Sequence, residues 1–87
     1  MNFIRGTVVC SKAGHDKGSF FAVIAVDNDI ALIADGKARS VSAPKRKKLI
    51  HLAFTRTVLS ERELIDDSRL SEALGGFNNS SGSIAGR

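Results

Sequence analysis

The chain has 87 residues, 43% of them hydrophobic, which is enough for one folded domain and leaves no room for a second core. Its single cysteine, Cys10, excludes an internal disulfide framework and a cysteine-based zinc site. Residues 1–57 hold ten basic and four acidic residues, a net +6, whereas residues 58–87 carry −2. This positive field predicts an acidic partner. No apolar segment is long enough to span a membrane or act as a signal region, so we expect a cytoplasmic protein without membrane association.

Three strands are predicted in the first part of the chain. Residues 4–11 are rich in β-branched side chains and end at the turn signal Ala13-Gly14. Residues 19–27 are almost continuously apolar, which is typical of a strand buried on both faces. The third strand, residues 30–34, follows a turn at residues 27–29.

Two further strands are predicted after Asp35. Asp35 and Gly36 would supply the two positive-φ positions of a type I′ hairpin, from which residues 38–41 return as a short strand. The basic run KRKK, residues 45–48, is predicted as a loop, and residues 49–55 as the last strand. The connections are too short for crossover helices, so the sheet should be antiparallel and should curl into a small barrel.

A helix is predicted over residues 67–77. The apolar residues that recur there at helical spacing are Leu70, Ala73, Leu74 and Phe77. Asp67 or Ser68 can cap the start of this helix, and Gly75 or Gly76 its end.

The chain therefore divides into three predicted parts. A β-barrel covers residues 1–57, a helical segment packed on the barrel covers residues 58–77, and a flexible, Gly/Ser-rich tail covers residues 78–87. Within the second part, Ser60 and Glu63 fit a capping box, which predicts an additional helical turn before the main helix.

The stretch SKAGHDKGSF, residues 11–20, allows three interpretations. A phosphate-binding loop needs Gly-x4-Gly-Lys-Ser/Thr, but only three residues separate Gly14 from Gly18, and a serine follows Gly18. A catalytic or metal site would use His15 and Asp16, yet no second histidine, cysteine or further carboxylate stands close enough in sequence to complete a ligand set. No nucleophile with a recognisable elbow is present either, so we expect no enzyme activity, metal ion or cofactor. A strand-turn-strand unit fits best, with both glycines shaping the loop and Asp16 bonding its own backbone.

Residues 6–29, GTVVCSKAGHDKGSFFAVIAVDND, resemble a KOW motif, the glycine-centred β-loop-β unit of many ribosomal and transcription-elongation proteins. Gly18 matches the characteristic glycine of that motif. The matching apolar positions are Val8, Val9, Val23, Ile24 and Val26. The chain is similar, as far as Thr55, to the large-subunit ribosomal KOW proteins of archaea and eukaryotes. It departs from the motif at Ser19, where a basic residue is common, and at Phe21, where a second glycine often stands.

The resemblance implies an SH3-like barrel whose loops contact ribosomal or other structured RNA. With the charge, it predicts a non-catalytic, ribosome-associated protein that binds phosphates of large-subunit ribosomal RNA through basic loops. The predicted contact residues are Lys12, His15, Lys17, Lys37, Arg39, Lys45, Arg46, Lys47, Lys48 and Arg56. Base stacking is not expected, because Trp and Tyr are absent and Phe20, Phe21 and Phe54 are assigned to the core.

An alternative function is left open. The domain could dock on a ribosomal protein or RNA polymerase through its barrel edge or its acidic helix, as KOW domains of elongation factors do. No small-molecule substrate is expected under either hypothesis.

Overall fold

The computed structural model describes residues 4–85, and the side chains of residues 4–78. The strands are β1 Thr7–Ser11, β2 Phe20–Asp27, β3 Ile30–Ala34, β4 Lys45–Lys48 and β5 Leu52–Val58. They form one antiparallel sheet in the order β4-β3-β2-β1-β5. A 3₁₀ turn at Leu49–His51 connects the two edge strands, and the helices α1, Glu61–Leu64, and α2, Asp67–Ala85, follow β5.

Both faces of the central strands are buried, because successive residues of a strand point to opposite sides. A helix-side cluster packs the sheet against α1 and α2 and consists of Val8, Ala22, Ala34, Leu59, Leu64, Leu70 and Leu74. A concave cluster on the opposite face consists of Val9, Phe21, Val23, Ala31, Ile33 and Leu52. The buried members of the concave cluster come from strands alone, so the sheet covers this face by curling. Within the described residues β4 and β5 are not paired, and the barrel is not closed.

The antiparallel, mainly β fold and the C-terminal helix are confirmed, but the fourth strand was predicted in the wrong place. Residues 38–41 form no strand, and the basic run expected to be a loop is β4 itself. The type I′ hairpin does not form, because Gly36 has a positive φ of 80° and Asp35 does not. Instead the Asp35 and Gly36 N–H groups both donate to the Arg39 carbonyl oxygen, at 3.0 and 2.9 Å, which opens a longer connection over residues 35–44.

The helices begin where capping chemistry allows. The Ser60 N–H donates to Glu63 Oε1 at 2.8 Å, as expected of the predicted capping box, and α1 starts at Glu61. Asp66, rather than Asp67 or Ser68, caps α2 by accepting from the Arg69 N–H at 2.8 Å.

The end of α2 differs from the prediction. Gly75 and Gly76 do not terminate the helix, because neither has the positive φ of a C-terminal cap. The helix continues to Ala85, through most of the predicted tail, of which residues 86 and 87 lie outside the described residues. No helix within residues 4–85 is long and apolar enough to cross a membrane.

Because Asp66 caps α2, the Asp67 side chain can anchor the connection between β3 and β4 instead. Its carboxylate accepts from Ser40 Oγ at 2.9 Å and from the Val41 N–H at 2.8 Å. Gly36 lies directly against the Asp67 carbonyl oxygen and the Ser71 nitrogen. Residues 35–44 are therefore fixed to the first turn of α2.

We expect Gly36→Ala to destabilise the fold more than Gly18→Ala. Both glycines have positive φ, 80° and 91°, so both substitutions carry the left-handed penalty of about 1–2 kcal/mol. A Cβ at Gly36 would also strike the Asp67 backbone, whereas a Cβ at Gly18 meets nothing within 4 Å. This overpacking should add about 1–3 kcal/mol to the loss in free energy of unfolding, measured by urea denaturation. Equal losses in the free energy of unfolding for the two variants would show that α2 shifts away from the added methyl group without loss of stability.

Candidate nucleic-acid interface

The connection between β1 and β2, residues 12–18, is a compact loop, here called the glycine loop. Gly14 and Gly18 have φ values of 85° and 91°, which a loop-shaping role requires. The Gly18 N–H donates to the Ser11 carbonyl oxygen at 2.9 Å, and the Ser19 N–H to that of Asp16 at 2.9 Å. The stretch is thus the predicted strand-turn-strand unit, with antiparallel strands on both sides.

The side chain of Asp16 connects the glycine loop to β4. Its Oδ2 lies 2.8 Å from Lys45 Nζ, and its Oδ1 lies 2.9 Å from Lys47 Nζ and 2.7 Å from Ser11 Oγ. Lys47 Nζ also donates to the Ala13 carbonyl oxygen at 2.7 Å. Asp16, Ser11, Lys45 and Lys47 are called the Asp16 cluster below.

The Asp16 cluster corrects two expectations. The Asp16 carboxylate accepts from three side chains, not from its own backbone as predicted. The side chains of Asp16 and Lys47 are only 14% and 10% exposed, so Lys47 is no freely mobile loop cation. The glycine loop and the basic run do lie together, as an interface formed by both would require.

The surroundings of Asp16 favour its charged form. Partial burial by itself raises the pKa of this carboxyl, but the hydrogen bonds from Lys45, Lys47 and Ser11 outweigh it and hold the pKa well below its usual range. The carboxylate therefore stays ionised, and its charge partly neutralises the lysines beside it.

The alternation of β4 divides the basic run. Lys45 and Lys47 pair with Ile33 and Ala31, so they point to the concave side of the sheet, while Arg46 and Lys48 point to the other side and are exposed. Consecutive cations are poor strand formers, which is why the sequence suggested a loop. Lysine is nevertheless common on edge strands, where its charge prevents pairing with other chains.

The exposed cations concentrate at two connections. Lys12, His15 and Lys17 are exposed on the glycine loop, and Lys37 and Arg39 on residues 35–44. The first connection leaves the end of β1 and the second the end of β3, and both of these ends lie beside the start of β2. Within the described residues, no hydrogen bond or ion pair engages the side chains of these five residues, nor those of Arg46 and Lys48.

Arg56 does not join this group. It precedes Val58, which pairs with Thr7 at the beginning of β1, whereas the glycine loop leaves the other end of β1. Arg56 is exposed on the edge strand β5 but lies apart from the other predicted contact residues.

The phenylalanines follow the prediction in two cases of three. Phe21 is buried, and the ring of Phe20 lies 5.3 Å from that of Phe77 on α2, measured between centroids. Phe54 is 48% exposed on β5, so its assignment to the core was wrong. β5 is an edge strand that pairs only with β1 in the described sheet, so its side chains are less covered than those of a central strand. The alternation of apolar residues in its sequence does not show whether a strand lies at the edge.

Among residues 4–78, no group of three His, Cys, Asp or Glu side chains is arranged to hold a metal ion. Ser11 is buried and its hydroxyl lies 3.0 Å from the Ala13 carbonyl oxygen and 2.7 Å from Asp16, contacts that stabilise the loop. A scan against protein-family models and a search of curated proteins both find no match to this chain.

We expect Asp16→Asn to lower the free energy of unfolding at pH 7 by about 1–3 kcal/mol, because it weakens charge-assisted hydrogen bonds to two lysines. A lowered folded-state pKa stabilises the protein above the unfolded-state pKa, about 3.9 for Asp, and this contribution is lost as pH falls further. The gap between wild type and variant should therefore narrow below about pH 4.

Urea denaturation at several pH values measures this gap. Glu61→Gln is the matched control, because Glu61 forms an exposed ion pair with Arg5 at 2.8 Å. Solvent screening should make the effect of the control much smaller. If Asp16→Asn kept a constant difference from wild type down to pH 2, the ionised carboxylate would not be the stabilising group.

Proposed function

We propose that this protein is a non-catalytic RNA-binding domain that contacts phosphates of structured RNA through its basic connections. The main support is the group of seven exposed cationic or imidazole side chains on the glycine loop, residues 35–44 and β4. These groups are not neutralised by carboxylates in the described part of the chain, so a polyanion can bind them without breaking internal ion pairs.

The chemistry of these groups suits recognition by shape. Lys12, Lys17, Lys37 and Lys48 carry ammonium groups on flexible stems, which contact phosphates without selecting bases. RNA duplexes and junctions are recognised largely in this way, since the A-form major groove is too deep and narrow for side chains to read. The KOW resemblance adds the proposal that the RNA is ribosomal RNA of the large subunit, and that the protein acts in the cytoplasm as part of a ribonucleoprotein.

The topology is compatible with an SH3-like barrel of the KOW type. Five antiparallel strands form one sheet in the order β4-β3-β2-β1-β5, with a 3₁₀ turn between the two edge strands. The glycine-centred loop stands between the first two strands, where the KOW resemblance assigns it. We propose this class for the domain on these two features together.

Binding to purified large-subunit ribosomal RNA should be strongly salt-dependent. If about five phosphates are neutralised, a plot of log affinity against log salt should have a slope of roughly −3 to −4. Lys12→Gln/Lys17→Gln should make this slope shallower by about 1–2, because two phosphate contacts are lost.

Equilibrium titrations at salt concentrations from about 50 to 200 mM measure these slopes. Arg62→Gln provides the control, since Arg62 is an exposed cation on α1, outside both basic connections. A flat salt dependence of the wild type, or no binding at the lowest salt, would reject the function.

A second candidate function is supported by the opposite edge of the sheet. Phe54 and Val58 on β5 are 48% and 50% exposed, and Ile50 in the preceding turn is 71% exposed. Exposed apolar side chains on an edge strand are typical of protein contacts. A ribosomal protein or RNA polymerase that docks there would make the domain a protein-interaction module.

Co-sedimentation with ribosomes separates the two candidate functions. RNA contact predicts that Lys12→Glu/Lys17→Glu abolishes co-sedimentation, because the reversed charges repel phosphates, and that Ile50→Ser/Val58→Thr retains it. Docking on a protein predicts the reverse pattern. Circular dichroism and the urea midpoint of each variant verify that the fold is intact.

A further inference from the structure

The four cations of β4 have two different environments. Lys45 and Lys47 share one side of the strand and both donate to Asp16, with side chains 28% and 10% exposed. Arg46 and Lys48 share the other side and are exposed, and neither has an ion-pair partner within the described residues. A run that looks uniform in sequence is thus two pairs of opposite orientation.

Recruiting the first pair to a phosphate would have a cost. Lys45 and Lys47 would have to leave a carboxylate that is 14% exposed, and the Ala13 carbonyl oxygen would lose its bond from Lys47. A partly buried charge that loses its donors is strongly unfavourable. Arg46 and Lys48 can meet a phosphate with no such loss.

We infer that Arg46 and Lys48 are the RNA-contacting residues of β4, whereas Lys45 and Lys47 hold Asp16, which acts as a positioning residue for the glycine loop. The inference rests on the proposed function and refines it. Residues two apart on one side of a strand are separated by about 6.8 Å. This spacing lets Arg46 and Lys48 reach neighbouring phosphates of one RNA strand.

Asp16 then has a defined part in recognition. Asp16 binds β4 and Ser11 at once and so fixes the segment that carries Lys12 and Lys17. Because this segment is already ordered in the free protein, RNA binding does not have to order it, and the entropic cost of binding is lower. Asp16 also binds Lys45 and Lys47, so these two lysines are not available to contact phosphates. Asp16 should therefore reduce the number of phosphates bound while keeping the remaining cations in place.

The test compares two double variants that remove the same charge from the same strand. Arg46→Gln/Lys48→Gln should make the salt slope for purified large-subunit ribosomal RNA shallower by about 1.4–1.8, the value for two lost phosphate contacts. Lys45→Gln/Lys47→Gln should leave the slope at the wild-type value. The triple variant Asp16→Asn/Lys45→Gln/Lys47→Gln leaves no unpaired carboxylate and keeps all the exposed cations, so it should keep the wild-type slope even if the double variant folds poorly. Its affinity should fall at every salt concentration, because the glycine loop is no longer held in place.

Each result has one interpretation. Equal reductions in slope for the two double variants would overturn the inference but leave RNA binding intact. A reduced slope for the triple variant would also overturn it, because Lys45 and Lys47 would then contact phosphates. A wild type that does not bind the RNA would instead reject the proposed function.

Discussion

The Asp16 carboxylate, bound by Lys45 and Lys47, fixes the glycine loop against the edge strand β4. The sheet hydrogen bonds alone define only the ends of this loop, at Ser11 and Phe20. With the bonds to Asp16 and to the Ala13 carbonyl oxygen, the loop is attached at its middle as well. The Lys12 N–H also donates to the His51 carbonyl oxygen at 2.8 Å, so Lys12 is held from two sides. The position of Lys17 relative to β4 depends mainly on one acidic side chain in a basic region.

The same device is used at the second basic connection. Asp67, at the start of α2, accepts from Ser40 Oγ and the Val41 N–H, and so fixes residues 35–44. In both places an aspartate ties a connection to a neighbouring element. Asp16 stands on the glycine loop and binds β4, whereas Asp67 stands on α2 and binds residues 35–44. The cations Lys12, Lys17, Lys37 and Arg39 of the two connections remain exposed. Each carboxylate lowers the positive charge of the region, but the remaining cations are held by a defined backbone, which would lower the entropic cost of the proposed RNA binding.

The sequence predicted the features that depend on local pattern. The alternation and apolarity of β2 and β3, the helix around Leu70 and Leu74, and the glycine-centred loop all follow from nearest-neighbour preferences. The pairing of Asp16 with Lys45 and Lys47 could not be predicted, since it joins residues about 30 positions apart through the curl of the sheet. The strand at Lys45–Lys48 was missed for a related reason. Pairing with β3 stabilises a segment whose own propensity is low.

The two edges of the sheet differ in chemical character. β4 is entirely cationic, whereas β5 exposes Phe54 and Val58 with Arg56 between them. The charge on β4 discourages pairing with another strand, so edge protection alone would explain some of it. Alternation alone turns two of the four side chains inward, and inward-pointing charges also protect an edge. Edge protection does not account for the bonds that this inward pair makes to Asp16 and to the Ala13 carbonyl oxygen. These bonds support the positioning role inferred for the inward pair and leave the outward pair available to a polyanion. The proposed RNA binding at the basic edge and the alternative protein contact at the apolar edge would therefore use different residues and would not compete.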